Sequence, residues 1–332
     1  MTPHKNEQTL SDIIRSIGME KSFKELLHAS FKSEDTEEWL DVYFTRPIGL
    51  AFALFWKKLH VHPNTITILS FFLGAGAGWM FWHEDLTHNI MGVVLLMLAN
   101  FCDSTDGQLA RLTGQKTLLG RVLDGFSADV WFVAIYLGIC FRLFYQPIPF
   151  TSVNWGVGIF AICIVAGCFC HTRQCALADY YRQIHLYFLL GKDGSEFDNS
   201  KEQWATYHSL PATKDNWFKR LYYYNYAKYC SGQESRTPRF QQFYKNVKAK
   251  YPTIDTLPQA LREEFLAGSR PLMAYTNTLT FNTRAITLYA ACLLNVPYVY
   301  PLVEIVVLSV ISHRMWHKHE TLCARLGAKY GL

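Results

Sequence analysis

The sequence predicts an all-α integral membrane protein: six transmembrane helices preceded by an interfacial helix, with a cytosolic helical insertion between spans 4 and 5. Three observations carry this. Apolar stretches near 64–82, 90–102, 128–145, 156–170, 285–296 and 299–312 alternate with polar blocks at 1–42 and 183–278. Six spans of about 20 residues use roughly 120 positions, so over half of the 332 residues remain for water or the interface. The mean hydropathy of +0.03 therefore averages two unlike kinds of segment. The nine cysteines are odd in number and fall partly inside apolar segments, which argues against a secreted disulfide scaffold. A formal charge of +5, with its basic residues beside apolar segments, does not describe a nucleic-acid binder.

The elements follow in order. Residues 1–42 form a cytosolic N-terminal segment with helical periodicity over 10–33, and no apolar run before a small-residue cleavage site reads as a signal peptide. Residues 45–63 begin a helix at Pro47, carry Leu50, Phe52, Leu54, Phe55 and Trp56, and end on Lys57 and Lys58. That run is too short to span and belongs in the interface plane. The interfacial helix and spans 1–4 occupy 43–182, with tight turns at 83–88 and 112–117 and a proline-bearing loop at 146–151. The block 183–278 is a polar insertion whose stretch 218–229, FKRLYYYNYAKY, packs within it. Spans 5 and 6 occupy 279–318 as a hairpin around Asn295-Val296-Pro297, and 319–332 is a tail. The turns 83–88 and 296–301 carry no Lys or Arg, whereas the opposite ends carry Lys57, Lys58, Arg111, Lys116, Arg121, Arg173, Arg182, Arg284, Arg314 and Lys318. Both termini and the insertion are therefore expected in the cytosol.

Acidic groups at the end of a span are costly and mark function. Here Asp103 and Asp106 are i,i+3 neighbours on one helical face. The short turn at 112–117 brings Asp124 up antiparallel beside them, with Asp129 further along. Such a cluster needs compensation, and a hard divalent cation with oxygen ligands supplies it while keeping positions open for phosphate oxygens. Gly107 and Gly120 remove side chains where a ligand must approach, and Arg111 offers a cation to a phosphate. The residues thus point to metal-assisted phosphoryl transfer at a membrane surface. Cys168, Cys170, His171 and Cys175 lack metal-site spacing and read as packing.

The pattern D-x2-D-G-x2-A-R-x8-G-x3-D, here Asp103, Asp106, Gly107, Ala110, Arg111, Gly120 and Asp124, resembles the signature of the CDP-alcohol phosphotransferases. His62-Pro63-Asn64-Thr65-Ile66-Thr67 resembles the family's Pro-Asn-x-x-Thr at the start of the first span, and the likeness covers roughly 43–182 and 279–318. The resemblance implies a six-span enzyme that moves a phosphatidyl or phosphoalcohol group from a CDP-linked donor to an alcohol and releases CMP. It implies Mg²⁺, with Mn²⁺ as a substitute, on Asp103, Asp106, Asp124 and Asp129. Donor binding falls to Asn64, Thr67, Gly107, Arg111 and Thr117, and a homodimer is a family expectation. One departure stands out. The family signature ends in D-x3-D, but four residues separate Asp124 from Asp129. Position i+4 lies about 40° around a helix and i+5 about 140°. A π-bulge near Gly125 is therefore expected to restore Asp129 to the site, where the family's last Asp is the presumed general base.

The acceptor is expected to meet Arg173, Arg182, Arg284 or Arg314, all at cytosolic ends of later spans, with Arg284 weighted most and inositol phosphate or inositol favoured. Some of these arginines are topology anchors. Two other readings stay open: a CDP-ethanolamine or CDP-choline enzyme acting on a diacylglycerol-like lipid, and a non-catalytic membrane protein whose acidic cluster binds an ion or scaffolds partners.

Overall fold

The computed structural model describes residues 23–31 and 33–332. The helical periodicity read over 10–22 lies outside the described residues. The described residues are largely helical, with one isolated bridge among them, between Pro147 and Asn154. A short helix, α1 (Phe23–Ser30), and a π turn (Asp41–Thr45) lead into α2 (Arg46–Lys58). Pro47 sits in the first turn of α2, where its missing N–H costs nothing, and Lys57 and Lys58 end it. This helix buries Gly49, Leu50 and Ala53 and leaves Phe52 and Phe55 exposed. A Cβ on Gly49 would sit 2.6 Å from Ser104 Oγ, so α2 lies directly against the acidic motif.

Three long helices follow: α3 (Pro63–Trp82), α4 (Leu86–Thr113) and α5 (Leu118–Leu143). Each start has a cap. His62 Nδ1 accepts from the Asn64 N–H at 3.1 Å, Asp85 Oδ1 from His88 at 3.1 Å, and Thr117 Oγ1 from Gly120 at 2.9 Å. Gly114, in the left-handed region at φ 71°, ends α4. The few residues left before Thr117 force α4 and α5 into a hairpin. Within the bundle, Gly78 of α3 and Gly138 of α5 meet so closely that a side chain on either would strike the partner's backbone.

The fourth long helix, α6 (Val157–Leu190), and the last, α13 (Val299–Tyr330), are 34 and 32 residues long. At 1.5 Å per residue each reaches about 50 Å, well beyond an approximately 30 Å hydrocarbon core. Their overhangs carry the insertion: α7 (Ser200–Ser209), α8 (Trp217–Ser235), α9 (Pro238–Lys250), α10 (Gln259–Ser269) and α11 (Met273–Thr278). Tyr181, Ile184, Phe188, Phe240, Phe243, Phe265, Met315, Leu322 and Leu326 form one core there. A second core, with Phe81, Leu96, Trp131, Ile135, Ile139, Ile159, Leu288 and Tyr300, fills the bundle. Polar ties lock the insertion. Arg262 donates to the last carbonyls of α6, Phe188 O at 2.7 Å and Leu189 O at 2.8 Å, and Glu320 accepts from the Arg239 N–H at 2.7 Å.

The span expected at 285–296 differs. It lies in α12 (Phe281–Leu293), 13 residues or about 20 Å long, after a break at Leu279–Thr280. Among the described residues, five helices rather than six are long and apolar enough to cross a bilayer. Two further π turns, Val165–His171 in α6 and Glu304–Leu308 in α13, face one another. The Glu304 carbonyl at the second accepts from Gln174 Nε2 at 3.0 Å.

Candidate active site

Asp103 and Asp106 come from the last turns of α4, and Asp124 from the second turn of α5. One carboxylate oxygen from each lies within 4.8 Å of the other two. The hairpin produces this directly: the i,i+3 pair shares a face of α4, and the short turn sets Asp124 opposite. Asp106 is buried and accepts a hydrogen bond from Thr67 Oγ1 on α3. Ser127 Oγ donates to Asp103 Oδ1 at 2.7 Å and so holds that carboxylate in place. Sequence reading missed Ser127. Its only signal was its position three residues beyond Asp124. Three oxygen donors so close together, two of them oriented by neighbouring hydroxyls, fit a hard divalent cation.

The expected π-bulge is absent: α5 is a regular α-helix throughout Leu118–Leu143. Asp129 consequently stays turned away, outside the group of three. The correction is geometric, since an unbroken α-helix carries position i+5 about 140° around.

A cavity of 450 Å³ opens on one side of the carboxylates. All five residues expected at the donor line it: Asn64, Thr67, Gly107, Arg111 and Thr117. Lys116, Arg121 and Glu196 join them, the last from the insertion. Gly120 is required by close approach, because a Cβ there would lie 2.9 Å from Asn64 Oδ1. Gly107 merely keeps its wall open, a Cβ meeting nothing nearer than Arg111 Nη1 at 3.7 Å.

A second cavity, of 340 Å³, adjoins the first and shares Gly107, Arg111 and Asp124 with it. Arg46, Arg182, Glu38, Asp41, Asp103 and Asn282 line it. Arg182 Nη2 donates to Asn277 Oδ1 at 2.9 Å, while its Nε is buried with no hydrogen-bond partner among the described residues. Arg46 is steadied by Glu37 at 2.8 Å and by donation to Ser30 O at 2.7 Å. Burial pushes the Glu38 carboxyl above its ordinary range, against the hydrogen bond from Asn282. Sequence reading named Arg182 but passed over Arg46, Glu38, Asp41 and Asn282, which lie in segments with no motif.

The other expected acceptor arginines are elsewhere. Arg284 is fully buried, paired with Glu304, and donates to Gln174 Oε1 at 2.9 Å and Leu279 O at 3.1 Å. It seals the chain break before α12 and offers no cation to a ligand, which corrects the weight placed on it. Arg173 is exposed, its guanidinium 5.8 Å from the Phe169 ring centre. Arg314 lines a separate cavity between α13 and the insertion. The aromatic stretch 218–229 lines a 670 Å³ cavity that borders the donor side through Arg121, Asp124 and Glu196. There Tyr226 donates to Asp198 at 3.0 Å and Tyr229 to Asp179 at 3.1 Å.

The family model of the CDP-alcohol phosphatidyltransferases matches residues 60–184. An uncharacterized protein of Aquifex aeolicus is 41% identical over 85 residues, covering 24% of this chain and 42% of the relative. The archaetidylinositol phosphate synthase of Pyrococcus horikoshii is 32% identical over 82 residues, covering 25% and 42%. The chain thus spans under half the length of these relatives. The matched region holds α3 to α5, with the carboxylate trio and the whole donor set.

Proposed function

We propose, from the premise that residues 60–184 form a CDP-alcohol phosphatidyltransferase domain, that this protein transfers a phosphatidyl group from CDP-diacylglycerol to a phosphorylated polar alcohol and releases CMP. Inositol phosphate is the favoured acceptor, and the archaetidylinositol phosphate synthase relative points the same way. The observation that carries the reading is the pair of cavities meeting at Gly107, Arg111 and Asp124. Displacement at phosphorus needs the attacking and leaving oxygens in line on opposite sides. Two chambers joined at the carboxylates provide for that.

In this reading Asn64, Thr67, Thr117 and Arg111 hold the cytidine nucleotide in the larger chamber. Arg182 and Arg46 hold the acceptor phosphate in the smaller one, where the buried Arg182 Nε lacks a partner among the described residues. The acceptor hydroxyl forms the new P–O bond, the bond to CMP breaks, and the hydroxyl proton leaves toward the carboxylate at the junction, Asp124. Asp103, Asp106 and Asp124 would hold a divalent cation, Mg²⁺, which neutralises the donor pyrophosphate when bound. The basic residues clustered at this end of the bundle support a cytosolic orientation.

The test is CMP release by purified protein with CDP-diacylglycerol and Mg²⁺ against inositol phosphate, inositol, glycerol phosphate and serine, with mass spectrometry of the lipid. Release with a phosphorylated acceptor is expected. Release only from CDP-choline or CDP-ethanolamine with diacylglycerol would overturn the direction, and silence with every pair would overturn the enzyme.

A further inference from the structure

Away from both chambers, a cavity of 680 Å³ lies between α13 and the end of the insertion. One wall is a stripe of α13 formed by His313, Arg314, His317, Lys318, Thr321 and Arg325. Steps of three, four and seven put these residues on one side of the helix. Gly268 of α10 and Tyr275 of α11 close the opposite wall. Among the described residues, no carboxylate lines the cavity. Nearby Glu264 is already engaged by Lys329 Nζ at 2.7 Å and by the Tyr330 hydroxyl at 3.0 Å.

The cations are shaped into a site rather than scattered. Lys318 Nζ donates to the Tyr275 hydroxyl at 2.7 Å and lies 4.8 Å from its ring centre, so its flexible stem is held in place. His317 Nδ1 and Thr321 Oγ1 are 3.1 Å apart, which sets a hydroxyl beside the charges. The height along α13 matters as well. Its apolar stretch begins at Val299, and His313 comes fourteen residues later, about 21 Å along the axis. A hydrocarbon core of about 30 Å ends roughly 20 residues after Val299, near His319, so the stripe from His313 to Arg325 straddles the boundary between hydrocarbon and headgroups.

We propose that this groove is a second anion site, separate from the transfer centre, that takes the phosphate of an acidic phospholipid headgroup. Three permanent cations, one of them a preorganised lysine, suit a phosphomonoester, with phosphatidic acid as the simplest probe. The same chemistry would accept a soluble phosphate, and the two sources are separable.

Detergent-purified full-length protein is titrated with phosphatidic acid, phosphatidylcholine and inorganic phosphate and read by native mass spectrometry and calorimetry. Wild type is expected to retain phosphatidic acid in preference to phosphatidylcholine. Lys318→Gln/Arg325→Gln is expected to weaken that binding at least about tenfold, as loss of charge-assisted hydrogen bonds implies. Lys219→Gln/Lys245→Gln removes the same charge from exposed positions elsewhere and is expected to leave binding intact. Lys318→Arg keeps the cation and is expected to retain the lipid. Saturable inorganic phosphate binding that the first variant lacks, with no lipid preference, would support the phosphate site and assign it a soluble ligand. Equal loss in both charge-removed variants, or no preference for any phosphate in wild type, would overturn the proposal.

Discussion

Asp129 carries the sharpest test at the scale of single residues. Asp124 belongs to the trio and to both chambers, whereas Asp129 is turned about 140° from Asp124 on a regular helix. Asp124→Asn removes charge where several kcal/mol of stabilisation arise, so CMP release is expected to fall on the order of a thousandfold. Asp129→Asn is expected to keep most of the turnover; an equal collapse would restore Asp129 to the site. Arg182→Gln is expected to raise the acceptor KM about 10- to 100-fold, from about 1.5–3 kcal/mol of charge-assisted bonding, while the donor KM holds. Parallel rises in both constants would remove Arg182 from the acceptor chamber. Arg284 behaves differently because its partner is internal. Arg284→Met strands the buried Glu304 carboxylate and is expected to cost about 3–5 kcal/mol of stability. Adding Glu304→Gln is expected to recover part of that melting temperature, and a folded single variant with only an acceptor defect would refute the structural role.

Helices set the site through their spacing. The close contact of α3 with α5 at Gly78 and Gly138 brings Asn64 to Gly120 at the far ends of the same helices. Gly138→Val would push the two backbones apart. Overpacking of this kind costs about 1–3 kcal/mol, and donor affinity is expected to fall with it, although Gly138 touches no ligand. Thermal melting together with nucleotide binding checks this, and a variant that melts lower but binds donor normally would uncouple the pair from the site. The hairpin of α4 and α5 was legible in the sequence, because caps and turn residues are local signals. The shortness of α12 was not, since the break at Leu279–Thr280 that begins it is held by Arg284 from within the fold.

Across the whole molecule, the stretch 33–41 runs past the smaller cavity and ties distant parts together. Asp35 accepts from Arg270 Nε at 2.9 Å and lies 3.2 Å from His185 Nε2, joining this stretch to the insertion and to α6. Arg270, more than His185, holds the Asp35 carboxyl below the ordinary range. A depressed folded pKa stabilises above the unfolded value of about 3.9 and is lost as pH falls through the folded value. The melting gap between wild type and Asp35→Asn is therefore expected to be full at neutral pH and to close only below about pH 4. A gap that closes near neutrality would tie it to another group.

Local signals were enough for the α-helical membrane class, the carboxylate trio and five residues that line the cavity beside it, because helical period, caps and motif spacing place those residues within one continuous stretch, 63–124. Partners from remote sequence decided the rest. Arg284 looked like a ligand cation until Glu304, twenty residues on, was seen to neutralise it in the interior. Arg46, Glu38, Asp41 and Asn282 carry no motif, and they share a chamber only because the N-terminal stretch and the start of α12 fold onto α4. Asp129 turned on whether one helix bulged, which depends on how the bundle packs around it. Burial and pairing are properties of the folded whole, and no spacing along the chain encodes them.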